Sequence, residues 1–232
     1  MVLKLAIEGG GKLDFEVKKI ICGGYTARDP KTYLEIERLR KGGVTTPKSI
    51  PIFFPKMADR ITTADRIEVL AENSTSGEAE FVLLFDRDET YVAVGSDHTD
   101  RKLEDHNLLA AKQMCTNVIS AAVWRYEEVA DHWDDLILRS WVEKDGQREL
   151  YQEGRLALIM KVAELIDKVK AQITGDLGGL ALYSATIPII GGEYCFSPRF
   201  EAELIDEQMG RTLSLAYSVE PITWFKGEMQ IG

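Results

Sequence analysis

The sequence predicts an α+β fold built on a mixed or antiparallel sheet. Strand-like segments dominate both ends of the chain, and helical segments are inserted between them. The order is not the regular strand–helix alternation of a parallel α/β protein. At 232 residues the chain suits one domain, 1–232, with the N-terminal strands of about residues 1–20 as a small appendage.

LKLAIEG and KLDFEVKKIICGGY read as opening strands, with the glycine cluster 9–11 as the turn between them. A helix is expected over DPKTYLEIERLRKGG. Asp29 can cap it, Pro30 suits its first position, Tyr33, Leu34, Ile36 and Leu39 give it an apolar face, and Gly42-Gly43 end it. TTPKSIPIFFPK is punctuated by proline and extended. A strand follows around Ile67–Leu70, then a hairpin over 78–97 whose turn is the charged DRDE. The stretch from His98 to Trp124 mixes helical and buried character, with a helix around Leu103 and Leu108–Ala111. EEVADHWDDL reads as a helical or looped turn. A strand pair is expected around Asp145-Gly146, flanked by Ser140-Trp141 and Leu150-Tyr151. RLALIMKVAELIDKVKAQI is the clearest helix, since Leu156, Ile159, Val162, Ala163, Ile166 and Val169 recur at helical spacing. GGLALYSATIPII supplies a buried strand and a loop, and RFEAELIDE and TLSLAYSVEPI supply late strands.

The formal charge of −10, from 28 basic and 38 acidic residues, disfavours nucleic acid or an anionic membrane as partner. An anionic substrate stays open, because a divalent metal inverts the local field. Cys22, Cys115 and Cys195 are far apart and odd in number, which argues against a disulfide framework or zinc ribbon. The N-terminus lacks the apolar core of a signal peptide, and no apolar run reaches the roughly 18 residues of a membrane span, so a cytoplasmic location is expected.

Chemistry concentrates in the hairpin. Glu78 and Glu80 open a hydrophobic strand and, two residues apart, project to one face. An antiparallel return brings Asp97 to the same end. Three converging carboxylates make a hard oxygen site of the kind Mg²⁺, Mn²⁺ or Ca²⁺ prefers. A Glu-x-Glu pattern is also common on solvated strand faces. Glu201 and Glu203 repeat the text without a following acidic strand end, and read as the wet face of an edge strand.

These residues resemble the fumarylacetoacetate hydrolase superfamily. The Glu78-Ala79-Glu80-Phe81-Val82-Leu83-Leu84 run is similar to that family's Glu-x-Glu strand. Asp97-His98-Thr99-Asp100-Arg101-Lys102-Leu103-Glu104 resembles its aspartate segment, and Ala111-Lys112-Gln113-Met114-Cys115-Thr116 its lysine segment. Gly24-Tyr25, Pro51-Ile52-Phe53-Phe54-Pro55-Lys56 and Ser184-Ala185-Thr186-Ile187-Pro188 resemble further family stretches, and the order is the family's from about residue 20 to 220. The GSDHTDR text marks a branch whose chemistry is not characterised.

The resemblance implies a mixed β-sheet rolled into a barrel-like core with peripheral helices, and a homodimer. It implies Mg²⁺, or Mn²⁺ or Ca²⁺, held by Glu78, Glu80 and Asp97 as a Lewis acid toward an enolate oxygen. The implied substrate is a small 2-oxo or 1,3-dicarbonyl acid, and the implied reaction is C–C hydrolysis, hydration, decarboxylation or isomerisation by a hydrolase or lyase. Lys112 is expected to steady the developing charge and Thr186 to hydrogen-bond a substrate carboxylate. Tyr25, Arg101 and Gln113 are expected around the substrate, although Arg101 also suits a buried ion pair with Asp97 or Asp100. Asp100 is an alternative ligand, and His98 is expected to support or pack rather than ligate.

Two departures matter. The turn between the glutamate strand and Asp97 is short, which demands a tight hairpin. The stretch TARDPKTYLEIERL lacks the histidine with which hydrolytic members activate water, leaving Glu35 and Glu37 as the candidate bases there. A non-catalytic protein of the same fold that binds metal or oxo acid is the alternative.

Overall fold

The computed structural model describes residues 1–29, 50–70 and 74–225. Beyond Asp29, the helix expected over 29–43, with Glu35 and Glu37, lies outside the described residues. The strands, in chain order, are β1 (Val2–Ile7), β2 (Lys12–Glu16), β3 (Lys19–Gly24), β4 (Ile52–Lys56), β5 (Ile61–Thr62), β6 (Arg66–Val69), β7 (Thr75–Ser76), β8 (Ala79–Asp86), β9 (Glu89–Ser96), β10 (Thr99–Asp100), β11 (Asn117–Ile119), β12 (Ala122–Arg125), β13 (Ile137–Lys144), β14 (Gln147–Arg155), β15 (Leu180–Tyr183), β16 (Arg199–Asp206) and β17 (Arg211–Pro221). The described α-helices are α1 (Arg101–Glu104), α2 (Leu108–Met114) and α3 (Val162–Lys170).

A ten-stranded sheet runs β2-β1-β12-β9-β8-β15-β3-β4, with β11 pairing β9 and β5 beside it. It mixes parallel pairs, such as β15 with β3, and antiparallel pairs, such as β8 with β9. A five-stranded sheet runs β14-β13-β16-β17-β6. The architecture is the expected mixed α+β one, a curled half-barrel sheet with a few helices outside. β1 and β2 join the large sheet through Ala6–Ala122 and Ile7–Val123. Among the described residues no helix is long and apolar enough to cross a membrane.

β8 is central because both of its faces are apolar. Phe81, Leu83 and Phe85 point into a core shared with Trp133, Leu138, Phe200 and Tyr217 of the second layer. Val82 and Leu84 point the other way, against Leu3, Phe15, Cys22 and Tyr183. The β8–β9 hairpin is as tight as its text requires: Asp86 pairs Glu89 across Arg87-Asp88, with Arg87 in the left-handed region at φ +52°. Gly95 of β9 is obligatory for packing. A Cβ there would come within 2.5 Å of Val82 Cγ2 and 2.7 Å of Tyr183 Cε1.

Two expectations are corrected. The long helix expected from Arg155 to Ile173 is helical only over α3. Arg155 still pairs with Ile137 in the β13–β14 ladder, Leu156–Leu158 form a 3-10 turn, and Ile159 bridges Ala27. Met160 N–H donates to Thr26 O at 2.8 Å, so an extended partner competes successfully with helical propensity. Leu156, Ile159 and Val162 are buried all the same, so the apolar spacing is obeyed without a helix. β16, which carries Glu201 and Glu203, is an inner strand between β13 and β17 rather than an edge. Glu201 stays on its outer face, paired with Arg148 and Arg199 at 2.8 Å each.

Candidate metal centre

The hairpin builds the site. Glu78 stands immediately before β8, Glu80 is its second residue, and Asp97 follows β9. Asp97 N–H donates to Glu78 O at 3.1 Å, and Glu78 N–H donates to Ser96 Oγ at 3.3 Å, so the two strand ends are laced together. One carboxylate oxygen from each of Glu78, Glu80 and Asp97 lies within 4.8 Å of the others. Glu80 and Asp97 are buried, and Glu78 keeps a little exposure.

Three cations surround the acids. Lys112, brought in by α2, has its Nζ 2.6 Å from Asp97 Oδ2 and donates to Glu78 Oε2 at 2.8 Å and Thr99 Oγ1 at 3.1 Å. Lys56, at the end of β4, sits 3.4 Å from Asp97 Oδ1 and donates to Asn117 Oδ1. Arg101 is 3.3 Å from Glu78 Oε1, donates to Glu104 Oε2 at 2.9 Å and gives its Nε–H to Ser76 Oγ at 2.7 Å. Its ion pairs are thus with Glu78 and Glu104, not with Asp97 or Asp100.

Charge is distributed unevenly among the acids. Burial opposes ionisation of Asp97, but Lys112 and Lys56 bring its carboxyl down to about 2. Burial likewise opposes ionisation of Glu78, and Lys112 and Arg101 outweigh it, leaving that carboxyl below its ordinary range. Glu80 is different: burial, then Asp97 and Glu78, push it well above the carboxylate range. It has no ion-pair partner among the described residues. Its Oε2 accepts from Ala185 N–H at 2.9 Å. Ala185 adopts φ +87°, a left-handed conformation that costs a non-glycine residue about 1–2 kcal/mol. The strain aims that N–H at the acid.

The donor set fits a hard divalent cation. All three side chains offer a carboxylate oxygen to one place, and Glu80 brings a buried carboxyl with no ion-pair partner among the described residues.

The remaining expected residues are placed as follows. Asp100 is not turned to the acids: it caps α1, accepting Leu103 N–H at 3.0 Å. His98 is buried, its Nδ1 2.8 Å from Tyr217 Oη and its Nε2 2.9 Å from Thr75 Oγ1, and burial together with Arg101 drives its pKa down to about 3. It is a neutral brace. Thr186 accepts from Gln152 Nε2 at 2.7 Å and donates its proton to Ala79 O at 3.0 Å, leaving no donor for a substrate carboxylate in this arrangement. Gln113 bridges backbone at the surface, donating to Pro55 O and accepting from Met57 N–H. Tyr25 is largely exposed at the end of β3, with φ +56°.

Four supporting residues received no role from the sequence. Lys56 stands in an apolar, proline-flanked strand, where a lysine is out of place unless paired. Cys22 Sγ accepts from Asn117 Nδ2 at 3.5 Å, and burial pushes its thiol well up. Tyr217 and Gln152 reach the site from the second sheet.

With the geometry in view, the comparisons show the fold first: a putative fumarylacetoacetate hydrolase family protein from Yersinia pestis CO92 superposes with a TM-score of 0.65 at 17% identity, covering 92% of this chain and 99% of that one. A 2-keto-3-deoxy-D-arabinonate dehydratase, solved with magnesium and 2,5-dioxopentanoate, superposes with a TM-score of 0.65 at 15% identity, covering 89% of this chain and 74% of that one. A 5-carboxymethyl-2-hydroxymuconate delta-isomerase from Mycobacterium smegmatis gives 0.62 at 18%, covering 94% and 87%. The structure of Cg1458 with inhibitor gives 0.66 at 18%, covering 90% and 78%. At such identities the likeness is one of fold. No curated protein matches the sequence. The chain belongs to the DUF2848 family, described as proteins of unknown function, which it matches over residues 23–217.

Proposed function

We propose that the chain is a metal-dependent enzyme of the hydrolase or lyase type acting on a small 2-oxo or 1,3-dicarbonyl acid. The observation that carries this is the convergence of Glu78, Glu80 and Asp97 within 4.8 Å, with Glu80 buried and without an ion-pair partner among the described residues. The fold-mate solved with magnesium and a dioxo acid supports it. Glu78, Glu80 and Asp97 would hold Mg²⁺, or Mn²⁺ or Ca²⁺, which when bound would supply Lewis-acid stabilisation of developing negative charge.

The chain's own groups set the rest. Lys112 donates toward the same place as the acids and steadies negative charge on the substrate. Ala185 N–H fixes one oxygen of Glu80, which leaves the other free to turn inward. Arg101 holds Glu78 in place and lines the approach. Thr186 acts through its loop, by tying Ala79 O to the segment that presents Ala185. Tyr25 and Gln113 belong to the periphery in this reading. His98 has both ring nitrogens engaged and cannot serve as the water-activating base. Of the reactions in view, C–C hydrolysis and hydration need an activated water, whereas decarboxylation and isomerisation do not.

Calorimetric titration with Mg²⁺ and oxalate tests the proposal. The wild type is expected to bind oxalate only with the metal, and Glu80→Ala to weaken metal binding by about tenfold or more, as loss of a ligand should. A wild type that binds neither overturns the reading. A screen of oxo acids that finds binding without turnover would instead favour the non-catalytic alternative.

A further inference from the structure

We propose that the mouth of the acidic cluster selects a 2-oxo acid with an uncharged tail, and that Tyr194 and Glu104 enforce the choice. The proposal rests on the oxo-acid reading above and names its substrate class. The Lys56 and Asp97 side chains are fully enclosed, whereas Glu78 retains 14% exposure and Lys112 7%. An incoming acid therefore meets the cluster from the Glu78–Lys112 side.

Arg101 stands on that side, flanked by two carboxylates. Glu78 Oε1 is 3.3 Å from Nη2 and Glu104 Oε2 is 2.9 Å from Nη1. The Tyr194 ring covers one face of the guanidinium, its centre 4.2 Å from Cζ. Tyr194 is half exposed, so the ring that covers Arg101 also faces solvent. The ring is held in position. Its loop is anchored by Ile190 N–H to Tyr151 O at 2.8 Å, by Cys195 N–H to Tyr151 Oη at 3.3 Å, and by Glu143 N–H to Ser197 Oγ at 2.9 Å.

A tail leaving the acid cluster thus passes an aromatic surface and the carboxylates of Glu104 and Glu78. An uncharged tail gains the ring contact. A second carboxylate meets the two acids that already flank Arg101.

Calorimetry in Mg²⁺ with oxalate, 2-oxopentanoate and 2-oxoglutarate separates the possibilities. Wild type is expected to bind 2-oxopentanoate about tenfold or more tighter than 2-oxoglutarate, the scale of a like-charge clash at a rim. Glu104→Gln should close most of that gap. Tyr194→Ala should lower the ratio of 2-oxopentanoate to oxalate affinity by about fivefold, and Tyr194→Phe should restore it. Oxalate binding with no preference between the two tails, or ratios unmoved in both variants, overturns the proposal and leaves the oxo-acid reading standing. Failure to bind oxalate removes both.

Discussion

Lys112 Nζ lies 2.6 Å from Asp97 Oδ2 and 2.8 Å from Glu78 Oε2, so it shares the space in which a divalent ion would be held. An ammonium there does two opposing things. It keeps the carboxylates ionised, and it repels a second cation. Since the acids remain acidic next to a divalent ion, repulsion wins, and Lys112→Met is expected to tighten Mg²⁺ binding by about tenfold or more while abolishing turnover of any oxo acid. Weaker Mg²⁺ binding in the calorimeter would show that the lysine organises the ligands instead. At this scale the sequence was informative about the acids. Glu78, Glu80 and Asp97 were legible because strand periodicity and one short turn suffice to gather them. Lys56 and Glu104 stand in stretches that carry the family resemblance, but their partners were not legible, because pairing across elements decides what a charged side chain meets.

The β13–β14 hairpin shows what one irregularity does. Its register shifts beside Ser140/Trp141, so that Tyr151 and Gln152, although consecutive, are both buried. Gln152 then reaches the site. Its Oε1 accepts from Ala79 N–H at 3.1 Å and Ser140 Oγ at 2.8 Å, and its Nε2 donates to Thr186 Oγ1 and Ile187 O at 2.7 Å each. The amide clamps the backbone between the two glutamates to the loop that presents Ala185. Gln152→Met leaves an N–H and a carbonyl buried and unpaired, and is expected to cost about 3 kcal/mol in denaturant unfolding and to weaken Mg²⁺ binding as well. A variant that loses stability alone would confine Gln152 to the fold. Nothing in YQEGR announces this role, since an even alternation would have sent Gln152 or Tyr151 to solvent. The shortened α3 makes the same point: helical spacing was real, but Thr26 O and Ala27 offered Ile159 and Met160 extended partners.

Across the molecule the two sheets meet through polar as well as apolar contacts. Tyr217 of the second sheet bridges Ser96 and His98 of the hairpin at 2.8 Å each. Asp206, at the end of β16, is buried and accepts from Arg211 Nε at 3.2 Å and Met209 N–H at 3.1 Å, with His132 Nε2 at 3.0 Å. Burial opposes its ionisation, yet these partners outweigh burial and hold the carboxyl below its ordinary range. The folded state therefore binds this proton less readily than the unfolded chain. The stability Asp206 contributes is complete above the usual aspartate range and is lost as pH falls through the folded-state value. Thermal melts are expected to show acid sensitivity in that window that is reduced in Asp206→Asn, with about 2 kcal/mol lost at neutral pH. Equal slopes in both proteins would assign the acid response elsewhere.

By itself the sequence determined the class of fold, the hairpin and the three acids at its end, because each depends on side-chain alternation and turn length within about 20 residues of chain. The tertiary structure alone decided what surrounds those acids: Lys56 from β4, Ala185 from the loop after β15, Gln152 and Tyr217 from the second sheet, and Tyr194 over Arg101. Those neighbours lie far away along the chain. Only closure of the sheets brings them within hydrogen-bonding distance, and in that low-dielectric interior their placement sets the charge and reach of the site.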